Sequence, residues 1–284
     1  MRKIIAGIDA SSAAEAVCDA AAWSSQRLDT EVMALHVLEK SLYPSEADLT
    51  GNLGLGAQEQ LLEELAELDH RRSKLMLEQG KLQLQAARER LEQAGATAVS
   101  TKQRHGSLVE TLVDLAEELR LLVIGRHGEA HANELDAVGS QLESVIRVVH
   151  QPILITQDEF RAPQRFLLAY DGSGTAQAAL ERVAESPLLT GIPCVLVCVG
   201  KPGNTESADL EQAKTRLVTA GIPTEVVRVE STEVTKTLCE QVEEQQADLV
   251  VMGTHGHSRI RKFFVGSTST AMLRRNPVMT LLLR

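Results

Sequence analysis

The chain carries one series of motifs twice, and this duplication limits its possible folds more than any other feature. Asp9 and Ser11 follow one apolar run, and Asp171 and Ser173 follow a matching run 162 positions later. The same offset relates Val37 to Val199, each at the end of a further apolar run. Solenoid repeats span roughly 20–50 residues, so a period this long indicates a duplicated domain.

The first copy contains an insertion. Gly125 and Gly253 also match, but at an offset of 128, so the first copy has 34 additional residues between these anchors. We place the insertion at about 41–94, with a loop over 41–56 and a helix over 57–94 in which Gly80 is a point of bending or interruption. Leucines recur there every three or four residues, the pattern of an amphipathic helix. This helix either packs on its own sheet or forms an arm that contacts another chain.

Short β-branched runs alternate with helical patterns in both copies, which is typical of βαβ units and a mainly parallel sheet. In the second copy we predict strands near 165–170, 194–199, 224–229, 248–252 and 278–283. The predicted helices lie near 174–186, 206–220, 233–246 and 267–275. The expected fold is α/β, with two tandem, open, five-stranded Rossmann-like sheets flanked by helices. The domains are 1–157 and 163–284, joined by a short polar linker.

Composition argues against nucleic acid as a partner. The net charge is -10 and aromatic residues make up 2% of the chain, whereas nucleic acids select cationic surfaces and aromatic stacking platforms. No apolar run approaches the roughly 20 residues of a membrane-spanning helix. The four cysteines form no CxxC pair and are interpreted as reduced thiols, with Cys194 and Cys198 as an alternative redox pair. We therefore expect a cytoplasmic protein.

The segment 253–270 places glycines, cations and hydroxyls between a strand and a helix of the second copy. Glycine turns and helix N-termini present N–H groups to anions, and Arg259, Arg261 and Lys262 add positive charge. Ligands of open α/β sheets bind beyond the carboxyl ends of the strands, where Asp171 also lies. A phosphate chain is the expected ligand, with Asp171 accepting from ribose or adenine or holding a divalent metal. The spacing matches neither a Walker A loop nor GxGxxG.

This spacing, with two residues between Gly253 and Gly256 and nine before Gly266, resembles the ATP-binding motif of the universal stress protein family. The resemblance covers both copies and implies a tandem member that binds ATP with Mg²⁺ in its second copy. The residues implied for that site are Asp171, Val199, Met252, Gly253, Gly256, Gly266, Ser267 and Thr268. It also implies a role in stress response.

The first copy departs from that motif. Its loop has ten residues between Gly128 and Gly139, and it carries Glu129, Glu134 and Asp136 where the second copy has cations. Anions repel a triphosphate at close range, so we expect ATP to prefer the second copy. The corresponding degenerate site comprises Asp9, Val37, Gly125, Gly128, Gly139 and Ser140.

Histidines near the first site suggest a metal hypothesis. His36 is predicted at a strand end beside Asp9, and His127 and His131 lie in the degenerate loop. Zinc accepts such a His/Asp set, but the spacing fits no recognised metal motif, and polar loop histidines are the simpler interpretation. Ser11, Ser12 and Ser173 are expected to cap the helices that follow them.

The leading hypothesis is an ATP-binding sensor or stabiliser without a dedicated catalytic centre. One alternative is a slow ATPase or phosphotransfer enzyme. Another is a regulator or scaffold that binds a different small ligand in domain 1. The last strands, 152–156 and 277–283, are apolar edges that need a partner. We expect them to pair within the chain as a pseudo-dimer, and two chains to associate as a homodimer through the 57–94 helix.

Overall fold

The computed structural model describes residues 2–38, 55–126, 140–200, 207–254 and 267–284. Its first half contains strands and helices in alternation: β1 Lys3–Gly7, α1 Ala14–Leu28, β2 Val32–Leu38, α2 Leu55–Gln93, β3 Val99–His105, α3 Leu108–Asp114, β4 Leu119–Gly125, α4 Ser140–Val148 and β5 Ile153–Thr156. The second half repeats this order: β6 Phe166–Ala169, α5 Gly174–Glu185, a 3₁₀ turn Pro187–Leu189, β7 Cys194–Gly200, α6 Ser207–Thr219, β8 Thr224–Glu230, α7 Val234–Glu244, β9 Leu249–Gly253, α8 Ser267–Arg275 and β10 Met279–Leu283. The predicted strands and helices of the second copy are confirmed to within two residues.

The ten strands of the described residues form one sheet in the order β3-β2-β1-β4-β5-β10-β9-β6-β7-β8. Each half contributes five parallel strands. The halves meet where β5 pairs antiparallel with β10, with Leu281 opposite Leu154. The expected α/β class is therefore confirmed. The last strands also pair within the chain as expected, so neither is left as an open edge.

Apolar side chains cover both faces of this sheet because adjacent residues of a strand point to opposite sides. Ile4 is buried on the face that α1, α2, α5 and α6 cover, and its neighbour Ile5 is buried on the face that α3, α4, α7 and α8 cover. Both are fully buried, as is Phe166 at the start of β6. The core is otherwise mostly aliphatic, as the aromatic content requires.

Polar contacts also join the halves at the ends of two helices. Arg126, just after β4, donates to the carbonyl oxygens of Arg274 and Asn276 at the end of α8, the latter at 2.9 Å. Arg284, after β10, donates to the carbonyls of Ile146 and Arg147 at the end of α4. Helix ends leave carbonyls without intrahelical partners. Each half therefore supplies hydrogen-bond donors to carbonyl groups at the end of the other half's last helix.

Helix α2 is one continuous helix of 39 residues, about 58 Å long at 1.5 Å per residue. It continues through Gly80, so an interruption there is wrong, whereas a bend stays a prediction. An added Cβ at Gly80 would lie 2.3 Å from Gln103 Nε2 and 2.7 Å from His36 Cδ2, so the glycine allows close packing of α2 on the sheet. Towards the C-terminus, Leu84 and Leu91 are buried in the core.

The N-terminal part of α2 differs from its C-terminal part. From Glu64 to Leu75 every described side chain except that of Leu65 is exposed. The alternative of packing on its own sheet therefore holds for the C-terminal part of α2, and contact of the exposed part with another chain stays a prediction. Among the described residues, no helix combines the length and the apolar character needed to cross a bilayer.

Candidate functional site

Each half has one switch point in its strand order, where ligands of open α/β sheets bind. In the second half the chain runs from β6 outward to β7 and β8 on one side, and to β9 and β10 on the other. The switch point therefore lies between β6 and β9. In the first half the equivalent position lies between β1 and β4.

Asp171 lies two residues beyond β6, at the carboxyl edge of the second switch point. The backbone turns sharply after it, with Gly172 at φ +74°, a conformation that glycine adopts without strain. The Ser173 N–H then donates to Asp171 Oδ1 at 3.0 Å. Ser173 Oγ accepts from Ala176 N at 3.2 Å and caps α5. The carboxylate is thereby held beside the N-terminus of α5, and the predicted cap is confirmed.

Gly253 ends β9 on the other side of the switch point. An ideal Cβ at this glycine would lie 2.6 Å from the carbonyl oxygen of Thr175, in the first turn of α5. The glycine is thus required by the close approach of β9 to α5, apart from any ligand. This contact could not be predicted from the sequence, because Thr175 is 78 positions away and contributes backbone atoms. The structure brings Asp171, the start of α5 and Gly253 together.

Four other predicted residues of the second site lie in described strands and helices. Val199 lies near the end of β7 and is half-buried, and Met252 is buried in β9. Ser267 and Thr268 are the first residues of α8, so their backbone lies in its first turn. Gly256, Gly266, Arg259, Arg261 and Lys262 lie outside the described residues.

The first switch point differs around its aspartate. Asp9 Oδ1 accepts from both the N–H of Ser11, at 3.0 Å, and its hydroxyl, at 2.5 Å. In the second half the corresponding hydroxyl of Ser173 is directed to Thr175 and Ala176 instead. Helix α1 begins after Ala13 without a side-chain cap, so the predicted caps at Ser11 and Ser12 are wrong.

Of the remaining first-site residues, Val37 and Gly125 lie near the ends of β2 and β4, and Ser140 begins α4. Gly128 and Gly139 lie outside the described residues, as do Glu129, Glu134 and Asp136.

His36 is buried in β2, and its Nδ1 lies 2.8 Å from the carbonyl oxygen of Ile8. Its other edge faces Gly80 of α2, where a methyl group would be 2.9 Å from Nε2. His127 and His131 fall outside the described residues. Within the described parts of the chain, no three His, Cys, Asp or Glu side chains are arranged to hold a metal ion.

The cysteines are unpaired thiols. Burial raises the pKa of the Cys18 thiol to about 12, and it also raises the pKa of Cys194. Cys194 and Cys198 are both buried in β7, four residues apart in one strand. Four strand residues span about 13 Å, whereas a disulfide needs Cα atoms within about 7 Å. The alternative redox pair is therefore wrong.

Two cavities are lined by described residues. One, of about 460 Å³, lies at the amino ends of β4 and β5 and is lined by Arg120, Arg182 and Leu283. The other, of about 750 Å³, runs between α5 and α6 and starts at Tyr170, whose pKa is raised by burial. Glu181, Asp209 and Arg216 line the second cavity, and Arg216 pairs with Glu181 at 2.8 Å.

Comparison with known proteins identifies relatives over the whole chain. The model of the universal stress protein family matches residues 1–157 and 200–284. A universal stress protein from Synechocystis sp. is 33% identical over 286 residues, which cover 99% of each chain. Asp171 and Val199 lie between the two segments that the family model matches.

Solved structures show the same fold. A universal stress protein from Archaeoglobus fulgidus aligns over 99% of this chain and 96% of its own, with 21% identity and a TM-score of 0.66. A universal-stress-type protein from Pseudomonas aeruginosa aligns over 100% of this chain and 93% of its own, with 15% identity and a TM-score of 0.64. At these identities the likeness extends to the fold alone.

Proposed function

Because the chain belongs to the universal stress protein family, we propose that it binds ATP in its second half and acts as a nucleotide-dependent sensor or stabiliser in stress response. ATP lies in the crevice between β6 and β9, with Mg²⁺ beside its phosphates. The chain comprises two units, 1–157 and 163–284, that form a pseudo-dimer. We also propose a cytoplasmic location, in keeping with the unpaired thiols, and a homodimer.

One observation carries the nucleotide proposal. Asp171, the N-terminus of α5 and Gly253 converge at the switch point of the second half. The carboxylate suits ribose or adenine donors, and the glycine loop that continues from β9 contributes N–H groups and three cations for phosphates. Residues Asp171, Val199, Met252, Gly253, Gly256, Gly266, Ser267 and Thr268 make up the proposed site.

Two features favour the second half over the first. The loop after β4 carries three anions where the loop after β9 carries three cations, and anions oppose triphosphate binding. The Asp9 carboxylate also accepts two hydrogen bonds from Ser11. Donors of a ribose would compete with these bonds.

The paired aspartates allow a matched test in the full chain. Calorimetric titration of the wild-type protein with ATP and Mg²⁺ should give one site per chain. Asp171→Ala should weaken ATP binding at least about tenfold, since a charged hydrogen-bond partner contributes roughly 1.5–3 kcal/mol. Asp9→Ala should leave the affinity unchanged. Two equal sites, or a loss in Asp9→Ala alone, would contradict the proposal.

Catalysis is the rival function. The second site offers hydroxyls and cations, but no Walker lysine and no base that spacing identifies. We expect no phosphate release from ATP beyond the uncatalysed rate. Steady turnover that Asp171→Ala abolishes would support a slow ATPase or phosphotransfer enzyme instead. Mass spectrometry of ligands retained through native purification tests the third hypothesis, a regulator with another ligand in the first half.

A further inference from the structure

The N-terminal part of α2 exposes large apolar side chains on one stripe. Leu68, Leu75 and Leu82 are 60%, 65% and 68% exposed. They are seven residues apart, as are successive core positions of a coiled coil. Leu61 holds the next position of this heptad in the sequence. The geometry points to a docking surface for a second copy of this chain, formed by an antiparallel pair of α2 helices.

This part of the helix has little support from its own chain. Residues 64–79 of α2, here called the arm, precede the segment in which Gly80, Leu84 and Leu91 pack on the sheet. Arg71 and Glu67 of the arm form a local ion pair at 3.6 Å, and both side chains are exposed. Isolated helices of this length are marginal in water and gain stability from packing an amphipathic face. A second helix along the stripe supplies that packing.

The heptad defines what would lie beside each leucine. With Leu68, Leu75 and Leu82 at d positions, the a positions are Leu65, Arg72, Gln79 and Ala86. In an antiparallel pair whose twofold axis crosses near Ser73 and Lys74, Leu82 packs against Leu65 of the second copy. Leu68 packs against Gln79 and Leu75 against Arg72 of the second copy, where the long aliphatic stems cover leucine. Polar a positions are a known means of fixing register.

Charge complementarity selects the antiparallel arrangement. In this register Arg71 flanks Glu78 of the second copy, and symmetry forms the pair twice. Both side chains are exposed and border the leucine stripe. A shift by one heptad would place Arg71 beside Arg71, or Glu78 beside Glu78. In a parallel pair Arg71 would lie beside Met76 and Glu78 beside Gln83, so neither charge would be neutralised. The antiparallel second copy fits best.

Sedimentation velocity and light scattering of the full chain test this surface. The wild-type protein should have twice the 30.9 kDa chain mass at micromolar concentrations. Leu68→Glu/Leu75→Glu should raise the dimer dissociation constant at least about 100-fold, because buried carboxylates replace apolar contacts. The far-UV circular dichroism of this variant should differ from that of the wild type by no more than the helical signal of the arm. Its ATP titration should stay near that of the wild type. Val113→Glu in α3 and Val218→Glu in α6, where the valines are 54% and 50% exposed, are matched controls that should remain dimeric.

Charge exchange tests the orientation. Arg71→Glu and Glu78→Arg should each weaken the dimer, since each creates two like-charge pairs, and the double variant should restore the wild-type dissociation constant within about threefold. A monomeric wild-type chain, or a leucine variant that stays dimeric, would overturn the docking surface. Failure of the double variant to recover would overturn the antiparallel register. Both outcomes are independent of nucleotide binding, which the Asp171→Ala titration measures separately.

Discussion

Replacing Gly253 by alanine tests whether the carboxyl end of β9 is held against the start of α5. An ideal Cβ would lie 2.6 Å from Thr175 O and 3.0 Å from Thr175 C. Ordinary contact begins near 3.4 Å, so β9 and α5 must separate by about 0.8 Å. The neighbouring atoms belong to backbone and cannot rotate away. Overpacking of this kind costs about 1–3 kcal/mol.

Gly174 provides the matched control because it is the first residue of the same helix. A Cβ added there meets nothing within 4 Å, and alanine in a helix is favoured over glycine by up to about 1 kcal/mol. Urea unfolding without nucleotide, followed by far-UV circular dichroism, should therefore give a lower midpoint for Gly253→Ala and an equal or higher one for Gly174→Ala. Equal midpoints for Gly253→Ala and the wild type would refute the close approach of β9 to α5.

Three further perturbations follow from described contacts. Gly80→Ala should lower the unfolding free energy by about 1–3 kcal/mol, despite the helix propensity of alanine, because the new methyl group meets His36 in a filled space. Arg126→Met should lower it by about 2–4 kcal/mol in urea unfolding, since buried carbonyls at the end of α8 lose their donor. In thiol titration at pH 8, Cys18 should react far more slowly than Cys239, because burial raises the pKa of Cys18 to about 12 and so lowers its thiolate fraction.

Controls for the first two perturbations use exposed positions, and the control for the third uses the unfolded chain. Lys81→Ala, next to Gly80, and Arg161→Met, whose side chain is 88% exposed, should each change stability by no more than about 0.5 kcal/mol. All four thiols should react once the chain is unfolded in denaturant. A stable Gly80→Ala would contradict the packing of α2 on β2 and β3. Arg126→Met at wild-type stability would show that the two halves do not depend on this contact, and equal rates for Cys18 and Cys239 would contradict burial of Cys18.

Patterns within each copy predicted most of the fold. Strand and helix periods are local properties of the chain, so the boundaries of the second copy followed from sequence. Duplication at a fixed offset then placed Asp9 and Asp171 at equivalent strand ends, and general rules for open parallel sheets placed the candidate site there. The family resemblance added ATP as the expected ligand. That ligand stays a prediction.

Contacts between distant segments could not be predicted in this way. The caps expected at Ser11 and Ser12 failed because the Ser11 hydroxyl donates to Asp9 and the Ser12 hydroxyl donates to Asp158 instead. Gly80 was interpreted from helix propensity alone, since nothing local shows that β2 and β3 come within van der Waals distance of it. Propensity is a weak guide wherever tertiary packing decides.

The sequence by itself determined the two-copy α/β architecture, the aliphatic core and the position of Asp171 at a strand end, because these depend on residue type and spacing along the chain. The tertiary structure alone decided the antiparallel direction and register in which β5 and β10 pair, the contact that excludes a side chain at Gly253, and the division of α2 into a packed segment and an exposed arm. These features depend on which surfaces meet in space, and residues far apart in the chain carry no local pattern that records such meetings.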